Sequence, residues 1–505
     1  MLLVFAGCAG SAFAQADRAK LQTAFPAIDA QFEAFAGRSH VPGMAWGIVV
    51  DGELVHHGAT GVRELATRTP VDADTVFRIA SMTKSFTALA ILRLRDEGRL
   101  ALDDPAEKYV PELAGLKYPT ADSPAITIRH LLSHAEGWPE DNAWGDRQLA
   151  VSEDEMSAML RRGIPFSNAP GVAYEYSNFG FAILGRIVSS VAGIPYADYV
   201  RANVLRPLGM TATTLEPRAV PADRIAHGYR WEDGTWKEEP PLADGAFGPM
   251  GGMLSSITDL ARYVAFHLAA WPPRDGADAG PVRRASVREM HQVWRPSPAA
   301  VSRDGPAGAL QLNAGGYGFG LRVWQSCEFT HLVAHSGGLP GFGSHMRWLP
   351  LHGVGVIVFA NLTYTSGAGL VDEVFAMLDR TGGLRPRPVT PSPALTDAMD
   401  GVSRLVAAWD DGLAERLAAD NLFLDESKER RRKGFEDIQA KHGACRPDGW
   451  LEVENALRGR WRMACERGDL EVSITLAPTM PPKVQVLEVR PAVPGAMQPA
   501  GACRP

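Results

Sequence analysis

The segment Ser81-Met82-Thr83-Lys84 sets a hydroxyl and an amine three positions apart in a chain that holds only nine lysines among its 505 residues. If the segment opens a helix, positions i and i+3 share a face, so the Lys84 amine reaches the Ser81 hydroxyl while the helix N-terminus favours negative charge beside it. A serine hydroxyl is a weak nucleophile until a neighbour takes or polarises its proton, and a partly desolvated lysine can do so. The spacing is thin by itself. Composition alone produces on the order of 0.4 such matches, and a capped helix bearing a surface lysine reads the same way.

Two further segments add chemistry. Tyr176-Ser177-Asn178 precedes the apolar run Phe179-Gly180-Phe181-Ala182-Ile183-Leu184-Gly185, at an expected helix start. A tyrosine close to one or two cations could hold a lowered pKa and serve as base, and the Asn178 amide could grip a substrate carbonyl. His335-Ser336-Gly337-Gly338 follows the strand-like Thr330-His331-Leu332-Val333-Ala334. A sheet-edge strand ending there could offer the Gly338 N–H as an oxyanion donor and pair with an extended substrate backbone.

The elements that must position these residues follow from periodicity. Asp51-Gly52 between Met44–Val50 and Glu53–His57 is a two-residue hairpin signal, and Met346–Leu349 with Val354–Asn361 reads as a second hairpin, the sheet resuming after residue 325. Between them lie helical patterns at Phe86–Arg95, Ile126–His134, Gly180–Val191 and Ile257–Leu268. Sheet at both ends with helices between predicts one discontinuous α/β (α+β) domain, an antiparallel sheet flanked by helices with an all-α insert. After a last helix at Val371–Arg380, the proline-rich run 383–394 reads as a semi-rigid linker. Residues 395–490, helices followed by strands, read as a small α+β domain, and 491–505 as a disordered tail.

The three motifs, in this order, resemble the penicillin-recognising serine hydrolases: class C β-lactamases, D-alanyl-D-alanine peptidases, D-aminopeptidases and related esterases. Ile126-Thr127-Ile128-Arg129-His130-Leu131-Leu132-Ser133-His134, Pro207-Leu208-Gly209-Met210, Gly251-Gly252-Met253-Leu254-Ser255-Ser256 and Gly338-Leu339-Pro340-Gly341-Phe342 look like that family's flanking stretches. The resemblance implies a β-lactamase/transpeptidase-like fold over residues 25–382. It further implies Ser81 as nucleophile, Lys84 and Tyr176 as the proton-handling pair, Asn178 as a substrate-binding amide, and Ser81 with Gly338 as oxyanion donors. His335, Ser336, Gly337 and Gly338 would line the substrate strand, with no metal and no cofactor required.

Two departures narrow the expectation. His335 and Ser336 stand where the β-lactamases of the family normally carry Lys and Thr. A lysine stays charged and binds a carboxylate, whereas histidine is neutral over much of the physiological range, which points toward D-amino-acid peptides, amides or esters rather than rapid β-lactam turnover. Glu136 stands where a small hydroxyl residue is usual. The histidine pairs His130/His134 and His331/His335 have i,i+4 spacing, but the second lies on an expected strand, where such residues are ~13 Å apart. The first reads as structural rather than as a zinc pair. The small C-terminal domain carries no catalytic motif and bears a loose likeness to NTF2-like modules.

A net charge of −7 spread along the chain gives no basic face for nucleic acid. The apolar start Met1–Ala16 ends in Ala12-Phe13-Ala14, an export signal of the A-x-A type, with a lipoprotein start through Cys8 as the alternative. Periplasmic or secreted localisation follows, with no membrane span expected in the mature chain. Of the four cysteines beyond the signal, Cys445 and Cys465 form the favoured disulfide. The expected activity is acyl-enzyme hydrolysis of a small ester, amide or muropeptide. The rivals are a class C-like β-lactamase and a non-catalytic cell-wall binding or sensor protein.

Overall fold

The Asp51-Gly52 turn has positive φ at both residues, +48° and +87°, the geometry that a two-residue hairpin demands and that glycine at the second position makes inexpensive. It joins β1 (Gly43–Val50) to β2 (Glu53–Glu64). The computed structural model describes residues 16–303, 310–365 and 367–492. The remaining strands of the main sheet are β3 (Leu310–Tyr317), β4 (Arg322–Gln325), β5 (Leu332–Leu339), β6 (Phe342–Leu349) and β7 (Val354–Ala360). They pair antiparallel in the order β2-β1-β7-β6-β5-β4-β3, with short strands flanking both ends. The first and last of these strands in the chain thus meet at the sheet centre, where Met44 faces Ala360 and Val50 faces Val354.

Every residue of β1 and β7 is buried, as expected of central strands covered on both faces. One face packs under α1 (Phe25–Arg38) and α5 (Ala368–Arg380), with Ile28, Phe32, Val371 and Val374 against Trp46, Ile48 and Val356. Phe32 stacks on Trp46 at 4.8 Å. The other face carries α2 (Thr83–Asp96) and α4 (Ile257–Leu268), the latter opened by Ser256, whose hydroxyl accepts from Asp259 N–H. The helical insert contains α3 (Asn178–Ala192), which packs Phe181, Leu184 and Val188 into the same core. The expected fold class is therefore present, and no single described helix is long and apolar enough to cross a membrane.

Two sequence expectations shift. The sheet resumes before residue 325, because β3 already runs through Leu310–Tyr317. Gly315 and Gly316 hid it: glycines weaken a strand signal, yet a Cβ at either would lie 2.2 Å from Val323 O or 2.0 Å from Arg295 O. The helix expected over Ile126–His134 shrinks to Ile128–Leu132. Thr127 caps it by accepting from His130 N–H, and His130 Nδ1 accepts from Thr127 N–H in return.

The chain divides into two units, one reaching Arg387 and one beginning at Pro388, so the division falls inside the proline-rich run 383–394. The second unit opens with helices, among them α6 (Pro393–Ala407) and α7 (Lys428–His442). A sheet of β8 (Cys445–Asn455), β9 (Arg458–Cys465), β10 (Leu470–Leu476) and β11 (Val484–Pro491) follows, paired in that order. Cys445 and Cys465 are directly opposed across β8 and β9 and form a disulfide. Pro491, expected to start a disordered tail, instead pairs with Leu470. Residues 1–15 of the expected export segment and 493–505 of the tail lie outside the described residues.

Candidate active site

Ser81 occupies a 3-10 turn, Ala80–Met82, that runs into α2. The turn is fastened from several sides. Ile79 N–H donates to Met253 O at 3.0 Å, and the Ser344 hydroxyl donates to Ile79 O at 2.8 Å. The Thr83 hydroxyl donates to Ala80 O at 2.7 Å. Buried Arg78 donates from Nη1 to Asp244 Oδ1 and Gly252 O, at 3.1 and 3.0 Å. Gly337 of β5 lies so close beneath that a Cβ on it would meet Ile79 O at 2.2 Å. Ala80 itself takes φ +49° although it is not glycine, a strained conformation that persists only where the surroundings hold it, as they do here next to the Ser81 hydroxyl.

Lys84 is the second residue of α2 and is fully buried. Its Nζ is 3.2 Å from Ser81 Oγ, and it donates to Asn178 Oδ1 at 2.6 Å and to Met250 O at 2.7 Å. Burial pushes the amine down from its usual value to about 7, although the nearby Asp146 and Asp141 carboxylates resist the fall. Near neutrality much of it is therefore uncharged. A neutral amine keeps two N–H bonds for Asn178 and Met250 and turns a lone pair to the Ser81 hydroxyl. Asn178 begins α3, where Asp141 accepts from Asn178 N–H at 2.6 Å and Phe179 N–H at 2.9 Å. An anion at a helix N-terminus is stabilised by the dipole and the free N–H groups.

Tyr176 corrects the sequence reading. It does lie near a cation, with Lys84 Nζ 4.8 Å from its ring centroid. Burial nevertheless outweighs everything else and drives its pKa well above the ordinary value, with an interaction with Ser81 offsetting part of the rise. The phenol is held protonated, the reverse of the lowered pKa expected. The sequence displays the neighbouring charge but not the aromatic packing around it: His134 lies 4.4 Å from both the Tyr176 and the Tyr317 rings.

His335 is neutral for a related reason. Its Nδ1 is 2.6 Å from Ser336 O, which can only accept, so Nδ1 carries the hydrogen and Nε2 accepts from the Tyr317 hydroxyl at 2.8 Å. Burial and the Lys84 charge lower its pKa to about 3. Ser336 Oγ is 2.8 Å from His345 Nδ1. β5 lies inside the sheet rather than at its edge, yet β4 pairs only with its first half, Leu332–Ala334. From His335 onward that side of the strand is free of a sheet partner, so the expected edge exists over this half alone.

These groups surround a cleft of about 640 Å³, lined by Ser81, Tyr176, Ser336, Gly338, Arg322 and Tyr364 among others. Ser81, Tyr176 and residues 335–338 are thus brought together at the cleft, with Lys84 and Asn178 directly behind Ser81. Arg322, Tyr317, Asp141 and the Met250 carbonyl were missed by the sequence. They come from strands and loops distant in the chain, and no local spacing marks them. Glu136, the other departure, is fully buried beside α3, and burial raises its pKa well above the usual carboxylate range. Gly180 makes room for it, since a Cβ there would fall 2.6 Å from Glu136 Oε1. Among the described residues no cluster of three or more His, Cys, Asp or Glu is arranged to hold a metal ion. His130 and His134 instead accept the N–H groups of Thr127 and Ser177.

Comparison with known proteins agrees with this geometry. A family model described as Beta-lactamase matches residues 28–378. Protein flp of Staphylococcus aureus (strain NCTC 8325 / PS 47) is 29% identical over 356 residues, 69% of this chain and 65% of its own length. Penicillin-binding protein 4* of Bacillus subtilis (strain 168) is 28% identical over 317 residues, 58% and 62% of the two chains. The chain thus spans a little under two thirds of the length of these curated relatives. Among solved structures, an octameric penicillin-binding protein homologue from Pyrococcus abyssi overlays with a TM-score of 0.59 at 22% identity, covering 91% of this chain and 96% of that one. A class C beta-lactamase gives 0.56 at 19% identity, with 73% and 98% covered. At such identities the two structures speak for the fold.

Proposed function

Because the chain belongs to the Beta-lactamase family, we propose that it is a serine hydrolase that forms an acyl-enzyme on a small ester or amide. The observation that carries the reading is the buried Lys84 amine, 3.2 Å from Ser81 Oγ and pushed down to about 7. An amine in this condition can take the Ser81 proton at neutral pH, as a general base near its own pKa should.

In the proposed cycle Ser81 Oγ attacks the substrate carbonyl as its proton passes to Lys84, and the Ser81 and Gly338 N–H groups receive the oxyanion. Asn178 Nδ2, buried with no hydrogen-bond partner among the described residues, donates to a second carbonyl on the acyl side of the substrate. Tyr176, kept protonated, hands a proton to the leaving group and recovers one from Lys84. Water then enters by the reverse route. His335 is uncharged, and among the described residues lining the cleft, which include Glu140 and Glu175, the permanent cation is Arg322. It suits a substrate bearing a free carboxylate, such as a D-amino-acid peptide.

A neutral His335 supports slow acylation by β-lactams rather than rapid turnover. The reading also goes with export to the periplasm or beyond, which the apolar start Met1–Ala16 suggests. It is tested by labelling with a fluorescent fluorophosphonate and by a panel of p-nitrophenyl esters, D-amino-acid amides, D-Ala-D-Ala peptides and a chromogenic cephalosporin. Wild type should label and turn over at least one acyl donor, and Ser81→Ala should do neither. Labelling that survives Ser81→Ala, or muropeptide binding with no covalent adduct, would overturn it, the latter in favour of a binding protein.

A further inference from the structure

The cycle above leaves the buried carboxylate of Asp146 without a role. Asp146 ends the short helix Asn142–Gly145, is 1% exposed, and has an Oδ1 with no hydrogen-bond partner among the described residues. Its neighbour Gly145 is pressed onto the Asn178 side chain, where a Cβ would lie 2.6 Å from Asn178 Nδ2. Asp146 is therefore carried on the wall that holds the Lys84 acceptor. From the sheet side Tyr364 comes to meet it. The Tyr364 hydroxyl interacts with the Asp146 carboxylate, and the residue lines the cleft. Its ring covers Gly338 so closely that a Cβ there would be 2.7 Å from Tyr364 Cδ1. Its backbone has φ +54°, a conformation that a bulky residue keeps only when its surroundings hold it.

We propose that Asp146, held by Tyr364 across the cleft, is a positioning residue that acts through Lys84, fixing the charge on that amine and hence the pH range in which Ser81 is acylated. The proposal rests on the roles proposed for Ser81 and Lys84.

The groups facing Lys84 leave Asp146 as the adjustable one. On the sheet side His335 is uncharged, its pKa down at about 3, and in the insert His134 is held well below its usual value by burial. Tyr176 is a protonated phenol. Asp141 is tied to two backbone N–H groups at the start of α3. Asp146 has no such anchor. Burial lifts its pKa to about 6, while Lys84, Tyr364 and Arg147 pull it down and Asp141 pushes it up. It therefore changes charge just below the range where Lys84 does. Its anionic form holds the proton on Lys84, so removing that charge frees the amine at lower pH.

The test is the pH dependence of Ser81 acylation by an uncharged p-nitrophenyl ester in wild type, Asp146→Asn, Tyr364→Phe and the double variant. In Asp146→Asn the acid limb should move to lower pH, most clearly where the wild-type carboxylate is charged and Lys84 still protonated, making acylation about twofold faster than wild type between pH 6 and 7. Tyr364→Phe should give a smaller shift in the same direction, because the carboxylate then protonates more readily. The double variant should match Asp146→Asn alone. An unshifted acid limb in labelling-competent Asp146→Asn would overturn the proposal, as would a Tyr364→Phe shift that persists without the carboxylate. If Asp146→Asn does not fold, the Tyr364→Phe profile alone decides, an unshifted limb counting against the proposal. Absence of labelling in wild type would instead refute the Ser81 reading, so the two failures are distinct.

Discussion

Lys84→Met removes the amine while keeping a flexible chain of similar length, and its effect on stability should depend on pH in a way that can be worked out. In the folded protein Lys84 releases its proton at about 7, against 10.5 for a lysine in water. Below pH 7 the lysine is charged in both states and the folded protein bears the full cost of burying it. Between 7 and 10.5 the unfolded chain keeps the proton that the folded one has lost, so the unfolded state binds more protons and wild-type stability rises with pH, by about 1.4 kcal/mol per pH unit. Over the whole window that is roughly 5 kcal/mol. Methionine has no such proton. It also leaves Asn178 Oδ1 and Met250 O without their donor, at about 1–2 kcal/mol each. The variant should therefore be more stable than wild type near pH 7 by about 1–3 kcal/mol, and lose about 3 kcal/mol of that advantage between pH 8 and 10, which inverts the sign. Urea unfolding of the larger unit at those two pH values reads the difference directly. A stability difference that is the same at pH 8 and 10 would refute the reasoning, because it would mean that buried Lys84 stays charged.

Other expectations follow from the same contacts. Gly180→Ala should destabilise the larger unit by about 1–3 kcal/mol through its clash with Glu136, and adding Glu136→Ala should restore most of the loss, as thermal denaturation of the pair will report. Arg322→Ala should raise KM about tenfold or more for substrates ending in a carboxylate while leaving neutral esters near wild type; equal effects on both classes would remove Arg322 from substrate recognition. The Cys445–Cys465 disulfide closes a separation of 20 residues, so Cys445→Ser with Cys465→Ser should cost the smaller unit about 3 kcal/mol in the chain-entropy account, measurable as a lowered unfolding midpoint. In wild type kcat/KM should rise through about pH 7 as Lys84 loses its proton, and a flat profile from pH 5 to 8 would count against Lys84 as base.

What could be read from the sequence was local. Ser81 and Lys84 are three residues apart where a 3-10 turn runs into α2, Ser256 announces α4 by its cap, and Asp51-Gly52 announces the first hairpin; each signal lies within a few residues of what it specifies. Legibility ended where the chain returns from afar. Asp141 reaches the start of α3 across 37 positions, Tyr317 meets His335 from a strand whose glycines disguised it, and Tyr364 crosses to Asp146 from beyond β7. The sign of the Tyr176 shift went the wrong way for the same reason. The nearby cation is foreseeable from the motifs, but the desolvation that exceeds it is a property of the assembled core.

The left-handed Ala80 makes the turn before Ser81 sensitive to which selection acts on it. Glycine at 80 would relieve a steric cost of about 1 kcal/mol while letting the turn sample both signs of φ. A library sorted for heat tolerance alone should drift toward glycine at 80 and an apolar residue at 84, whereas one sorted for turnover should hold both positions fixed. Those two sites then distinguish descendants retained for the shape of the protein from descendants retained for what it does.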